Sequence, residues 1–109
     1  MKKYRLLDSD TKVFFGRTLF RIQALNSFGD VQEGDLGGYI EKEKNLSHDG
    51  NAWVYNNAGV RGNVQIYGDA KVCGDAHISG DARIYGNATI SGNAYVCDNA
   101  YVGGNSWVF

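Results

Sequence analysis

Residues 50–109 read GNAWVY NNAGVR GNVQIY GDAKVC GDAHIS GDARIY GNATIS GNAYVC DNAYVG GNSWVF, ten hexads with no insertion. The first position is Gly in eight hexads, replaced by Asn56 and Asp98 in the other two. All three residue types tolerate left-handed backbone better than most. The second position is Asn or Asp in all ten, a short side chain that bonds local backbone at a turn. The third is Ala in eight, with Val64 and Ser106 as the others, and the fifth is always Val or Ile. The fourth and sixth positions vary from Trp to Lys to Ser.

Each hexad therefore reads as a short strand plus a corner. Strand side chains alternate, so the fifth residue points inward and its neighbours at four and six point outward. The third also faces inward, at a crowded corner that admits only a small side chain. An amphipathic helix needs apolar residues at 3.6 spacing, which this period does not supply. A propeller or sandwich needs longer strands with spaced hairpin turns. The period predicts an all-β parallel solenoid. The pattern resembles the hexapeptide repeat of left-handed parallel β-helix proteins. That resemblance implies three hexads per triangular coil and a left hand. Ten hexads would then make about 3.3 coils, at roughly 4.8 Å per coil.

Stacking at this period sorts the outward residues into three faces. One carries Trp53, Lys71, Thr89 and Trp107 beside Tyr55, Cys73, Ser91 and Phe109. The next carries Gly59, His77 and Tyr95 beside Arg61, Ser79 and Cys97. The third carries Gln65, Arg83 and Tyr101 beside Tyr67, Tyr85 and Gly103. Aromatic residues are enriched at interaction hot spots. Trp53, Tyr55, Tyr67, Tyr85, Tyr95, Tyr101, Trp107 and Phe109 are thus the expected protein-binding or oligomer surface. Stacked aromatics also steady neighbouring coils, and the two roles are compatible.

The remaining chemistry is sparse, and no catalytic residue, cofactor or metal site is expected. His48 and His77 are the candidate general bases, but no loop interrupts the repeat around either. Asp69, Asp75 and Asp81 fall at successive corners and cannot converge on one ion. Gly34-Asp35-Leu36-Gly37-Gly38 lacks the Lys-Ser/Thr of a phosphate loop. Cys73 and Cys97 fall on different faces, which argues against a disulfide.

Residues 1–49 lack the repeat and carry the apolar set of a cap, including Tyr4, Leu6, Leu19, Phe20 and Ile22. Short antiparallel strands are predicted over 3–7, 12–15 and 18–25, with turns at Ser9-Asp10 and Gly16-Arg17. Residues 30–40 read as a loop leading into the first coil, and residues 44–49 as a degenerate hexad in phase with the others. The division is 1–49 for the cap and lead-in and 50–109 for the solenoid.

The whole chain has 109 residues, 11 Lys+Arg against 12 Asp+Glu, and no proline. The near-zero balance disfavours nucleic-acid or anionic-membrane binding by bulk charge. No apolar run approaches the roughly 18 residues of a membrane span. Two cysteines without a secretion signal fit a reducing cytoplasm. The terminal hexad holds Trp107 and Phe109 with no cap in the sequence after it, so homo-oligomerisation through this coil is expected.

Beyond the repeat, Lys3-Tyr4-Arg5-Leu6, Arg21-Ile22-Gln23-Ala24-Leu25, Phe28-Gly29-Asp30-Val31 and Gly34-Asp35-Leu36-Gly37-Gly38-Tyr39-Ile40-Glu41 resemble the head of bacterial and prophage hexapeptide-repeat proteins. Members of that group are often labelled acyltransferases or polymer-forming proteins. Fold alone does not give function. The expectation is a non-catalytic protein-binding solenoid, of phage type, acting on a host protein as an inhibitor of a host defence system. The alternatives are an acyltransferase using His77 or His48, a structural or polymerising module, and a small-ligand sponge.

Overall fold

The computed structural model describes residues 2–109. The chain runs β1 (Tyr4–Phe14), β2 (Arg17–Ala24), β3 (Leu36–Ile40) and a 3-10 turn at Glu43–Asn45, followed by ten two-residue strands. These are β4 (Trp53–Val54), β5 (Gly59–Val60), β6 (Gln65–Ile66), β7 (Lys71–Val72), β8 (His77–Ile78), β9 (Arg83–Ile84), β10 (Thr89–Ile90), β11 (Tyr95–Val96), β12 (Tyr101–Val102) and β13 (Trp107–Val108). The fourth and fifth residues of every hexad form the strand, as the alternation predicts.

Strands three hexads apart pair in parallel, giving three sheets. One runs β4-β7-β10-β13, another β6-β9-β12, and the third β1-β2-β3-β5-β8-β11. Lys71 lies beside Trp53 and Thr89 beside Lys71, an 18-residue step. Backbone bonds such as Gln65 N–H to Ala82 O (3.1 Å) and Arg83 N–H to Ala100 O (2.9 Å) carry the ladder downward. A proline at such a position would remove its donor. Inside, Val54, Val60, Val72, Ile78, Ile84 and Ile90 are fully buried beside Ala52, Ala58, Ala70, Ala76, Ala82 and Ala88.

The corners explain the glycine phase. Gly80 has φ +76°, and a Cβ there would lie 2.7 Å from the Asp98 nitrogen one coil below. Asn56 (φ 58°) takes the glycine position in the first clean coil, and its Oδ1 accepts a bond from Gly74 N–H at 2.9 Å.

The N-terminal region differs from expectation in three places. First, β1 is one long strand, not two strands around a Ser9-Asp10 turn. It carries a bulge between Leu7 and Thr11. The bulge turns Asp10 toward Arg21, whose Nε lies 2.9 Å from its Oδ2. Second, residues 36–40 are strand rather than loop. Tyr39 and Ile40 pair in parallel with Gly59 and Val60, so β3 is already a rung of the solenoid. With it the stack rises to about four turns rather than 3.3.

Third, the degenerate hexad is shifted. Leu46, not His48, takes the inward place, bridging to Ile66. The offset there is 20 residues, whereas Gly50 already lies over Gly68 at 18. His48 and Asp49 are therefore two extra residues at the corner. Buried Asn45 fixes this corner. Its Oδ1 accepts from the Glu41 and Lys42 N–H groups, and its Nδ2 donates to Gly62 O and Val64 O.

Candidate functional site

The outer faces differ most in what covers them. On the first face, Trp53 was expected at the surface and is instead buried, 1 % exposed. Tyr4 and Phe28 meet its ring edge-on, at 6.1 and 5.3 Å between centroids. The register is as expected, but the amino-terminal segment lies over the residue. Tyr55 is half-buried and donates to Asp30 Oδ1 at 2.6 Å. Burial and that bond push the phenol well above its usual range, and the same bond holds the Asp30 carboxyl low.

Around Trp53 the cap is anchored by polar contacts. Lys3 is buried, and its Nζ donates to Ala52 O at 2.7 Å and Gly50 O at 3.3 Å. Burial pulls its ammonium down to about 8, against the pull of Asp49 and Asp69. Tyr4 Oη lies 2.6 Å from Leu46 O and 3.0 Å from Glu43 O. Arg21 joins the hairpin to the first coil, donating to Gly37 O and to Tyr39 Oη, both at 2.7 Å.

Both histidines serve this packing. His48 stacks on Tyr4 at 4.2 Å. Its Nδ1 accepts the Lys3 N–H at 3.0 Å, which leaves Nε2 to donate to Glu43 Oε1 at 2.9 Å. With both nitrogens engaged, neither is poised to take a substrate proton. On the second face, His77 lies between Phe14 of the hairpin (4.6 Å) and Tyr95 (5.3 Å, stacked). Burial, with Arg61 and Lys12 nearby, pulls its pKa below the usual value despite Asp75. The corner aspartates take part in the ladder. Asp69 Oδ1 accepts from Asn51 N–H, and Asp81 Oδ1 from Asn63 Nδ2.

The third face is the open one. Tyr67 stacks on Tyr85 at 5.5 Å and 13°. A Cβ at Gly103 would overlap the Tyr85 ring, so that ring rests against the Gly103 backbone. A groove of about 340 Å³ is lined by Lys44, Ser47, Gln65, Ile66, Tyr67 and Arg83. Sequence reasoning placed Gln65, Arg83 and Tyr67 on one face but missed Lys44 and Ser47. The two extra residues at His48-Asp49 hide their phase, and only the unbroken apolar place of Leu46 could have revealed it.

Tyr95, Tyr101, Trp107 and Phe109 are 62, 63, 64 and 79 % exposed and all belong to the last coil. Its strands β11, β12 and β13 are each hydrogen-bonded to a neighbour on one side only. Trp107 and Phe109 lie 6.0 Å apart, and Arg83 sits over Tyr101 at 5.7 Å. Of the eight aromatics expected to form a surface, these four form a continuous exposed end. Tyr67 and Tyr85 belong to the groove face, and Trp53 and Tyr55 to the cap contact. No helix among the described residues is long and apolar enough to cross a membrane.

Residues 82–98 match the family model described as the YdcK beta solenoid repeat. Over 63 residues, 51 % of this chain, the sequence is 33 % identical to the protein named "Uncharacterized acetyltransferase YdcK" of Escherichia coli (strain K12). The match covers 19 % of that protein's length. By fold and by repeat, this chain is a bacterial-type hexapeptide-repeat β-solenoid similar to the YdcK repeat.

Proposed function

We propose that this chain is a non-catalytic, protein-binding β-solenoid that docks through its last coil. The observation that carries the reading is the exposure of Tyr95, Tyr101, Trp107 and Phe109 together on strands with an unpaired edge. Contiguous exposed aromatics are uncommon on a surface that meets only water, and an open sheet edge templates pairing with another chain. One partner is a second copy of this chain. The other is a host protein that the solenoid would inhibit, consistent with the prophage-type resemblance of its head.

Light scattering and affinity capture test this together, using wild type and Trp107→Ser/Phe109→Ser. Wild type is expected to run as a dimer at micromolar concentration and to retain a specific host protein. The variant is expected to be monomeric and to lose that protein. A monomeric wild type whose captured proteins do not change in the variant overturns the reading.

A second reading, an acyltransferase, is favoured by the printed name of the E. coli relative. His77 is the residue available as base, since both nitrogens of His48 are already bonded. This reading requires acetyl-CoA to bind and the His77→Gln variant to lose turnover. Calorimetry showing no acetyl-CoA binding removes it.

A further inference from the structure

Two of the three faces have their uppermost aromatic completed by the amino-terminal segment. On the first, Tyr4 and Phe28 lie against Trp53. On the second, the column reads Gly59, His77, Tyr95, and Phe14 packs on His77 above the position that Gly59 leaves open. Leu19 also reaches Gly59, at 3.3 Å from where its Cβ would be. Phe15 sits on Arg61 in the adjoining column, at 4.5 Å.

The third face repeats the arrangement without the covering group. Its column reads Ser47, Tyr67, Tyr85, Gly103, because the Leu46–Ile66 bridge places Ser47 one rung above Tyr67. Tyr67 and Tyr85 form a two-ring stack supported from below by the Gly103 backbone. Above it, Ser47 supplies only a hydroxyl. No residue of β1, β2 or β3 lines this groove. The stack is short of one ring at its top.

The polar groups bordering that place have one sign. Lys44 and Arg83 both line the groove, and among the described residues neither forms an ion pair. Gln65 adds an amide, and no carboxylate lines the groove. The nearby acids Asp69 and Asp81 are held at the corners by Asn51 and Asn63. A volume of about 340 Å³ falls at the small end of ligand sites.

We propose that this groove binds a small molecule made of one flat-faced ring and one acidic group. The ring would stack on Tyr67 and extend the Tyr67–Tyr85 column. The acid would be held by Lys44 and Arg83 through charge-assisted hydrogen bonds, with Gln65 reading the ring edge. A purine nucleoside monophosphate and a hexuronic acid share this chemistry, and one experiment separates them.

The test is calorimetric titration of the full chain with AMP, with glucuronate, and with their uncharged counterparts adenosine and glucose. Two substitutions borrow the residue that the same column already holds one rung higher. Arg83→Gln copies Gln65, and Tyr67→Ser copies Ser47, so both are compatible with the coil geometry. Circular dichroism confirms that they fold. Binding of AMP or of glucuronate is expected at micromolar to millimolar concentration, and whichever binds identifies the ligand source. Loss of one charge-assisted contact predicts about tenfold weaker binding in Arg83→Gln. Adenosine or glucose is expected to bind more weakly by a similar factor, and Tyr67→Ser to weaken binding further. If neither acid binds, or if binding is the same in both folded variants, the proposal is overturned.

Discussion

Trp53 and Trp107 occupy the same column of the same face, three coils apart, and live in opposite surroundings. Both are the fourth residue of a hexad, both precede an inward valine, and both sit on strands of one sheet. Trp53 is 1 % exposed, beneath Tyr4 and Phe28, and Trp107 is 64 % exposed. The repeat fixes which way a side chain points. It does not fix whether anything lies on the far side, because the covering group comes from a segment outside the repeat. One end of the prism is therefore a second hydrophobic core, and the other is a surface available to a partner.

The sharpest break in this comparison is truncation of each tryptophan. Trp53→Ala empties a site packed on both sides and should cost about 3–5 kcal/mol, enough to unfold much of a small solenoid. Trp107→Ala should change stability by less than about 0.5 kcal/mol. Its effect should instead appear in self-association. Denaturant midpoints of the two variants measure the contrast directly, and equal losses would dissolve it.

The corners allow the same contrast with a smaller effect. Gly80 and Gly92 both hold left-handed backbone, φ +76° and +64°. A Cβ at Gly80 would lie 2.7 Å and 2.8 Å from the nitrogen and oxygen of Asp98, whereas at Gly92 it would meet nothing within 4 Å. Gly92→Ala should cost about 1–2 kcal/mol, the left-handed strain alone. Gly80→Ala adds displacement of the coil below and should cost at least about 1 kcal/mol more. Thermal melts of the pair give the difference.

At the covered end, Tyr4→Phe isolates the polar part of the anchor. The ring stays against His48 and Trp53, and only the hydroxyl bond to Leu46 O and Glu43 O is lost. Leaving buried carbonyls short of a donor should cost about 1–2 kcal/mol. A loss as large as that of Trp53→Ala would mean that the hydroxyl, not the aromatic packing, holds the cap.

The contrast also explains what could be read from sequence. The ten strands, their inward valines and isoleucines and their corner glycines were legible because each recurs ten times at one spacing. The cap was legible only as an apolar segment. Asp10 looks like a turn residue, and its use as the partner of Arg21 depends on a bulge that no local pattern marks. Leu46 was misplaced because His48 and Asp49 lengthen one corner by two residues, and a single shift of this kind leaves no periodic trace. Trp53 illustrates the same boundary. Its direction followed from the period, but its burial followed from Tyr4 and Phe28, far away in sequence. The groove was half legible, since Tyr67, Tyr85 and Arg83 share a face by counting, while Lys44 and Ser47 do not.

The smallest expected effect concerns pH at the hairpin tip. His77 is gripped between Phe14 of the hairpin and Tyr95 of the open coil, so it connects the covered end to the exposed one. Burial lowers its pKa below 6.5, with Arg61 and Lys12 adding to the shift and Asp75 opposing it. The unfolded chain, with a normal histidine, therefore binds more protons in that window than the folded chain does. Stability from this contact is fully present above about pH 6.5 and declines as pH falls below it. The carboxylates Asp30 and Glu43 are held low by Tyr55 and His48 respectively, so their contributions are lost only at more acidic pH. A modest fall in melting temperature from pH 7 to pH 5.5 is expected in wild type. His77→Phe keeps an aromatic between Phe14 and Tyr95 and removes the titrating group, so its melting temperature should stay level over the same range. Amide exchange at Phe14 and Phe15 should quicken in the wild type alone as the pH falls. If it quickens equally in both proteins, protonation acts elsewhere and the hairpin tip is held by apolar contact only.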